Sequence, residues 1–131
     1  MDGYRAPLDD IRFTLEHVVP LSTLSALPQF VHADGDTLAA LLEEAGRFAE
    51  EVVAPTNRDG DGEGARIEHG GVVTPASFHS AYERYVASGW GAMQHPEEHG
   101  GGGFPLLAAT AVKELITSAN MAFSLNPLLT T

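Results

Sequence analysis

The stretch DGDTLAALLEEAGRFAEEVVAP, residues 34–55, decides the fold class of this 131-residue chain. Its apolar residues recur every three or four positions, at Leu38, Leu41, Leu42, Ala45, Phe48, Ala49 and Val52. Charged residues fall mostly between them, which is the pattern of a helix with one buried face. Asp36 can accept hydrogen bonds from the first-turn amides, and Pro55 interrupts a helix. We therefore predict a helix near 36–54 that begins at Asp34 or Asp36, with Asp36 as a good N-cap and Pro55 as its end.

The same periodicity continues towards the C-terminus. It covers 75–88 and 105–119, and it begins again at Asn120, where Pro127 disturbs it. Thr74 is a candidate N-cap for the helix over 75–88, with Pro75 at the first helical position and Gly89 as its stop; these three residues bound that element.

The remaining segments are short or rich in glycine and proline. A short helix fits the residues that follow Asp9 and Asp10. The glycine-rich segments 59–71 and 100–103 are expected to be loops between helices. Val72 and Val73 are too short a run to predict a strand, so the chain is predicted to be all-α. The last residues, 128–131, stop within an apolar helical pattern, and we expect an incomplete domain.

Composition excludes several classes of function. The chain has 7 Lys and Arg against 18 Asp and Glu, a formal net charge of −11, which disfavours nucleic acid and anionic membrane surfaces as partners. It has no cysteine, so disulfides and thiolate chemistry are excluded. The acidic N-terminus does not resemble a signal peptide, and no apolar run approaches the ~20 residues of a membrane span. We expect a cytoplasmic protein.

Residues 94–103, QHPEEHGGGG, contain two patterns that could carry chemistry. His95 to His99 match the H-x-x-E-H zinc pattern, which requires both histidines on one face of a helix. Pro96 and Gly100 disfavour that helix. The four glycines could surround a phosphate, but the Lys-Ser or Lys-Thr of a P-loop is replaced by the sequence FPL of residues 104–106. A tight polar turn between helices is the favoured interpretation, and we predict no metal ligand here.

Residues 57–68, NRDGDGEGARIE, place oxygen-bearing side chains at the spacing of an EF-hand calcium loop. Asn57 occupies the first position instead of aspartate, and Pro55 separates the loop from the preceding helix. The sequence HGGVVTP that follows Glu68 does not predict an outgoing helix. A solvated acidic loop is favoured, with a calcium-binding helical protein as an alternative.

Several short motifs also occur in a characteristic order. They are 48–55 (FAEEVVAP), 57–58 (NR), 60–61 (GD), 74–75 (TP), 89–90 (GW), 96–103 (PEEHGGGG) and 119–123 (ANMAF). In this order the chain resembles the N-terminal helical domain of the acyl-CoA dehydrogenase family over essentially all 131 residues. Residues 4–13, YRAPLDDIRF, look like a short extension found in one subset. The resemblance implies an extension over 1–30 and a helical domain over 31–131 that is truncated at its C-terminal end.

The resemblance implies FAD-dependent α,β-dehydrogenation of an acyl-CoA thioester. In the family a glutamate removes the α-proton and the β-hydride passes to the flavin. The family's flavin segments lie in a middle β domain, and its catalytic glutamate lies in the middle or C-terminal helical region. We therefore assign no catalytic residue and no cofactor-binding residue to this chain, neither Glu98 nor Glu114, and we do not expect residues 1–131 alone to bind FAD.

The domain's role in the family is to pack against the other domains and to form part of the wall of the acyl pocket. The candidate substrate-binding residues lie on the last helix: Phe123, Ser124, Pro127 and Leu128. Core or interdomain packing explains each of them equally well. The implied partners are the remaining domains, the acyl-CoA, an electron-transfer flavoprotein and further copies of the enzyme. The alternative is a self-standing, non-catalytic helical interaction module.

Overall fold

The computed structural model describes residues 3–130, which form a helical bundle with one small β-hairpin. The helices are α1 (Leu8–Phe13), α2 (Ser22–Ser25), α3 (Gly35–Phe48), α4 (Ala54–Glu63), α5 (Ala76–Ala87), α6 (Leu106–Ala119) and α7 (Met121–Leu129), and the strands are β1 (Arg66–Glu68) and β2 (Gly71–Val73). The π-helical turns are Thr14–Val18 and Ala49–Val53, and the 3-10 turns are Pro28–Phe30, Trp90–Ala92 and Glu97–His99. The predicted helical fold is confirmed. Residues 1, 2 and 131, included in the predicted extension and domain, lie outside the described residues.

The N-cap of the central helix α3 lies two residues before Asp36, the predicted cap. The side chain of Asp34 accepts a hydrogen bond from the Thr37 amide at 2.8 Å, so Asp34 is the N-cap and Asp36 lies in the first turn. The predicted end at Pro55 is also wrong. The π turn Ala49–Val53 carries the chain directly into α4, and Pro55 lies in the first turn of α4, where a missing amide proton is tolerated.

The prediction of one long loop over 59–71 is wrong at both ends of the segment. Its first part completes α4, which ends at Glu63 and is followed by Gly64 with φ 64°. Its last part forms a hairpin in which Ile67 pairs with Val72. His69 and Gly70 connect the strands with φ values of 51° and 81°, which suit a tight two-residue turn. Each strand has only three residues, and all of them except the partly buried Val73 are exposed, so they carry no alternating pattern and the sequence did not predict them.

The helices after the hairpin match their predicted ranges. Thr74 does not cap α5 as predicted, because Pro75 is the N-cap residue and the Thr74 hydroxyl lies 3.2 Å from the His79 ring instead. Gly89, with φ 75°, follows the end of α5 as expected. Helix α7 begins after Asn120 and contains Pro127 in its second half.

The turn between α5 and α6 packs closely enough to require glycine. The Gly103 amide donates to the His95 carbonyl at 2.9 Å, and the Phe104 amide donates to the Met93 carbonyl at 2.9 Å. A Cβ atom on Gly101 would overlap the backbone carbonyl of His95. Gly100 has φ 81°, a conformation that favours glycine. These contacts support the interpretation of the glycine run as a tight turn.

The N-terminal extension packs against the same core as α3 and α6. Ile11, Leu15 and Leu21 are buried in that core. The Tyr4 hydroxyl donates to the Leu115 carbonyl at 3.1 Å, and the Ala6 amide donates to the Glu50 carboxylate at 2.8 Å. The division of the chain near residue 30 stays a prediction. Among residues 3–130, no helix has the length and apolar character needed to cross a membrane.

Candidate functional site

The candidate substrate-binding residues lie on α7, whose start is fixed by a buried polar bridge. Asn120 is 2% exposed; its side-chain oxygen accepts from the Phe123 amide at 3.1 Å, and its Nδ2 donates to the Thr56 hydroxyl at 2.8 Å. The Thr56 hydroxyl in turn donates to the Val53 carbonyl at 2.6 Å. These bonds tie α7 to the junction of α3 and α4. Sequence reasoning placed a helix start at Asn120 but missed Thr56, because 64 positions separate the two residues.

Phe123 belongs to a buried aromatic cluster. Its ring centroid lies 6.0 Å from that of Phe78 and 6.4 Å from that of Tyr85, both in edge-to-face geometry. Phe123 is 4% exposed. For a chain without the family's other domains we expected exposed apolar helix faces that include Phe123, Leu125, Leu128 and Leu129, and for Phe123 this expectation is wrong. Two causes raise the pKa of the Tyr85 phenol above its ordinary value: burial is the larger, and the electrostatic effect of the nearby Tyr82 is the smaller. This hydroxyl therefore stays neutral at physiological pH.

Ser124, Pro127 and Leu128 line one narrow cleft beside α6, with Tyr85 at one side. Ser124 is buried, and its hydroxyl donates to the Met121 carbonyl at 2.8 Å. Leu128 is about half exposed. The structure thus brings three of the four candidate residues together. Phe123 instead lines a separate groove between α5 and α7, which is described below.

Two open grooves run along the α5–α7 side of the bundle. The first, of about 490 Å³, is lined by Thr74, Phe78, His79, Tyr82, Glu83, Ala122, Phe123 and Asn126. The second, of about 280 Å³, is lined by Tyr82, Tyr85, Val86, Gly89, Gly91, Ala92, His95, Pro127 and Thr130. Among the residues that the structure describes, no lysine or arginine lines either groove. Both are therefore suited to apolar groups rather than to phosphates.

The outer side of α7 is apolar where a solvent-facing helix would carry polar residues. Met121, Leu125, Leu128 and Leu129 are 67%, 48%, 45% and 76% exposed, respectively; together they form what we call the α7 outer face. Their spacing of four, seven and eight positions from Met121 places them on one side of the helix. Both sides of α7 are consequently apolar, which is typical of a helix between two packed surfaces.

The motifs considered for metal and phosphate adopt other conformations. Asn57, Asp59 and Asp61 lie within helix α4 and not in a calcium loop. Glu97–His99 is a 3-10 turn that begins after Pro96, so His95 lies outside it. Within residues 3–130, no group of three or more His, Asp or Glu side chains is arranged to hold a metal ion.

The helical architecture agrees with the family that the sequence matches. Residues 35–131 match the family described as "Acyl-CoA dehydrogenase, N-terminal domain". The chain belongs to the acyl-CoA dehydrogenase family. It is similar to the 3-methylmercaptopropionyl-CoA dehydrogenase of Ruegeria pomeroyi, with 44% identity over 127 residues. That alignment covers 97% of this chain and 22% of the relative, so the chain spans about a fifth of the length of the curated relative that it matches.

The two comparisons differ in how they treat the N-terminal extension. The family match begins at residue 35, whereas the 127 aligned residues of the dehydrogenase from R. pomeroyi leave only four of the 131 residues unaligned. Most of the extension is therefore shared with that dehydrogenase, although it precedes the matched family domain.

Proposed function

We propose that this chain is the N-terminal part of a flavin-dependent acyl-CoA dehydrogenase. The family match, combined with 44% identity to an acyl-CoA dehydrogenase more than four times as long, is the observation that carries the proposal. The reaction is the α,β-dehydrogenation of an acyl-CoA thioester. The name of the relative makes 3-methylmercaptopropionyl-CoA the first thioester to assay.

The contribution of this chain is structural support for the acyl pocket. The α7 outer face packs against the flavin domain, and the buried bridge from Asn120 to Thr56 holds α7 in place for that contact. Leu128 and Pro127 form part of the acyl-pocket wall, and Phe123 and Ser124 support them from the core side. The half-exposed Leu128 supplies the largest accessible apolar surface of the four.

The flavin and the catalytic base belong to the rest of the enzyme. FAD, when bound, supplies the acceptor for the β-hydride. Within the described part of the chain, neither α5–α7 groove offers a lysine or arginine for the pyrophosphate. The sequence also contains no glycine-rich strand-to-helix nucleotide motif. Glu98 is highly exposed, with its carboxylate 3.6 Å from the His99 ring, so it lacks the water-excluded environment expected of a catalytic base. The further partners proposed are an electron-transfer flavoprotein and additional copies of the enzyme.

A chimaera tests this proposal. The corresponding segment of the R. pomeroyi dehydrogenase is replaced by these 131 residues, and FAD content and reduction of an artificial electron acceptor by 3-methylmercaptopropionyl-CoA are measured. We expect a flavin-loaded, active chimaera and a 131-residue chain that binds no FAD. A stoichiometric yellow complex of the short chain, bleached by an acyl-CoA, would contradict the proposal.

The chimaera also tests the proposed wall residues. Leu128→Ala removes apolar contact worth roughly 1–2 kcal/mol, which corresponds to a rise of about 5- to 30-fold in KM. Leu27→Ala is the matched control, because Leu27 has similar exposure, 41% against 45%, but lies in the extension. Equal KM values for both variants would remove Leu128 from the acyl pocket. A chimaera that folds but remains inactive with every thioester favours the alternative, a non-catalytic interaction module.

A further inference from the structure

Residues 4–8, which we call the N-terminal strap, cross the bundle from α6 to α3. The strap side chains that are partly buried against the core are Tyr4, Ala6 and Leu8. The Ala6 amide donates to the Glu50 carboxylate at 2.8 Å, and a Cβ atom on Gly46 would lie 3.1 Å from the Leu8 side chain. Polar and apolar contacts therefore fix the strap on α3 and on the π turn that follows it, and they leave its first residue at α6.

That first residue, Tyr4, bonds to the last turn of α6. Its hydroxyl donates to the Leu115 carbonyl at 3.1 Å and lies 2.6 Å from the Ser118 hydroxyl. Because each hydroxyl carries one proton, Tyr4 can donate to the carbonyl while it accepts from Ser118. The Ser118 hydroxyl also lies 3.0 Å from the same carbonyl. These contacts tie Tyr4 to residues that are 111 and 114 positions away in the sequence.

The turn of α6 that Tyr4 contacts also borders the proposed acyl-pocket wall. Ile116 and Thr117 line the narrow cleft that Ser124, Pro127 and Leu128 of α7 also line. The two partners of Tyr4 are three positions apart and share one side of the helix, whereas Ile116 and Thr117, which lie between them in the sequence, project from other sides. One turn of α6 therefore carries the contacts with the strap and part of the lining of the cleft.

The corner between α6 and α7 transmits a shift of that turn to α7. A single residue, Asn120, separates the two helices. Its amide donates to the Ile116 carbonyl at 3.1 Å, and its side chain donates to the Thr56 hydroxyl of α4 at 2.8 Å. The corner is thus held at two points, by α4 directly and by the strap through the last turn of α6. With one connecting residue and a close-packed core, the two helices cannot move independently.

We propose that Tyr4 is a positioning residue for the acyl-pocket wall. Its hydroxyl fixes the last turn of α6, and that turn sets the width of the cleft between α6 and α7. Tyr4 acts from outside the matched family domain, which begins at residue 35. The inference rests on the proposed function for the identity of the wall, and on the contacts of Tyr4 alone for the effect on α6 and α7.

Amide hydrogen exchange of the 131-residue chain, measured by nuclear magnetic resonance, tests the effect on the corner. Tyr4→Phe removes the hydroxyl and keeps the ring. We expect the amides of Asn120 and Phe123 to exchange about fivefold faster, the effect of one lost hydrogen bond on local opening. Amides in the middle of α5 should exchange at unchanged rates, because α5 has no bond to the strap hydroxyl.

Substitutions at Ser118 test the other side of the same contact. Ser118→Ala should accelerate exchange at Asn120 and Phe123 as Tyr4→Phe does, and the double variant should exchange little faster than either single variant, because both remove one shared network. Ser118→Thr keeps a hydroxyl at this position and should retain the exchange rates of the unsubstituted chain.

Arg12→Gln is the matched control for a general loosening of the extension. Arg12 also ties the extension to the bundle, through its 2.7 Å pair with Glu43, but it bonds to α3 and not to α6. We therefore expect Arg12→Gln to leave exchange at Asn120 and Phe123 unchanged. Circular dichroism of each variant verifies that it has folded.

The chimaera described above tests the effect on the wall. Tyr4→Phe should raise the KM for 3-methylmercaptopropionyl-CoA by up to about fivefold, because the shifted wall loses contact with the acyl group. Because Tyr4 lies outside the reacting centre, kcat should change by less than about twofold and FAD content should stay the same. Arg12→Gln should leave KM unchanged, and Ser118→Thr should restore what Ser118→Ala loses.

Four results would overturn the proposal. These are unchanged exchange at Asn120 and Phe123 in Tyr4→Phe, an equal acceleration in α5, an unchanged KM in an active Tyr4→Phe chimaera, or an equal rise in KM for Arg12→Gln. An unsubstituted chimaera without activity would instead count against the proposed function. The exchange rates would then decide by themselves whether Tyr4 holds the corner.

Discussion

Replacing Asn120 with alanine tests whether α7 is held by its buried polar bridge. The substitution removes the cap that accepts from the Phe123 amide and the donor to the Thr56 hydroxyl. Loss of a side-chain N-cap costs about 1–2 kcal/mol, and here the orphaned amide is buried, which favours the upper value. Loss of the bond to Thr56 adds about 1 kcal/mol. We expect Asn120→Ala to lower the free energy of unfolding by roughly 2–3 kcal/mol.

Urea denaturation, followed by the fluorescence of Trp90 and by circular dichroism, measures this change. Trp90 is the single tryptophan, and its ring lies 5.9 Å from that of Phe48 in the core. Asn126→Ala is the matched control, because Asn126 is an exposed asparagine on the same helix. Its effect should stay within about 0.5 kcal/mol, as for most exposed substitutions.

A double-mutant cycle separates the bridge from the cap. Thr56→Val removes the hydroxyl and leaves the Asn120 amide group without its acceptor. If the bridge exists in solution, the Thr56→Val and Asn120→Ala changes should be non-additive by about 1 kcal/mol. Additive changes, or an Asn120→Ala effect equal to that of Asn126→Ala, would refute the account of how α7 is held.

Three further predictions concern the turn, the exposed surface and pH. Gly101→Ala should lower the free energy of unfolding, measured by urea denaturation, by several kcal/mol because the new Cβ would overlap the His95 carbonyl. Gly62→Ala, in an open helical position, is the control and should raise the free energy of unfolding by roughly 0.5–1 kcal/mol. Equal effects of the two substitutions would contradict the turn geometry. The 131-residue chain should self-associate through the α7 outer face, so sedimentation should show less association for Leu125→Ser/Leu129→Ser than for the exposed control pair Val18→Ser/Val31→Ser. Burial raises the folded-state pKa of Tyr85 above 10.0, so its contribution to stability is complete below that pH and is lost as pH rises towards the folded-state pKa, with a slope of about 1.4 kcal/mol per pH unit. Tyr85→Phe should reduce that slope above pH 10, and an unchanged slope would show that Tyr85 is not the group responsible.

Local patterns in the sequence were enough for the long helices. The apolar spacing of α3 and α6, the glycine after α5 and the asparagine before α7 are signals that act within one or two turns. The family resemblance was also readable from short motifs in order, and it named α7 as the candidate site. Those features depend on residues that are close together in the sequence, so the sequence alone was enough to predict them.

Local patterns failed where two local solutions compete or where the chain folds back. Asp34 and Asp36 are both good caps, and only the geometry of the first turn selects Asp34. Pro55 is a helix breaker by itself, but the π turn before it places it where a missing amide proton does no harm. The hairpin of β1 and β2 is too short to leave a pattern.

The site itself depends on contacts between distant segments. Thr56 and Asn120 meet because α7 packs against the start of α4, and Phe123 is buried because α5 supplies Phe78 and Tyr85 around it. Periodicity can tell that Phe123 and Leu128 lie on different sides of α7, but not which side faces the bundle when both are apolar. The side of α7 that faces the bundle is determined by how well the assembled helices pack against one another, and this depends on segments that are distant in the sequence.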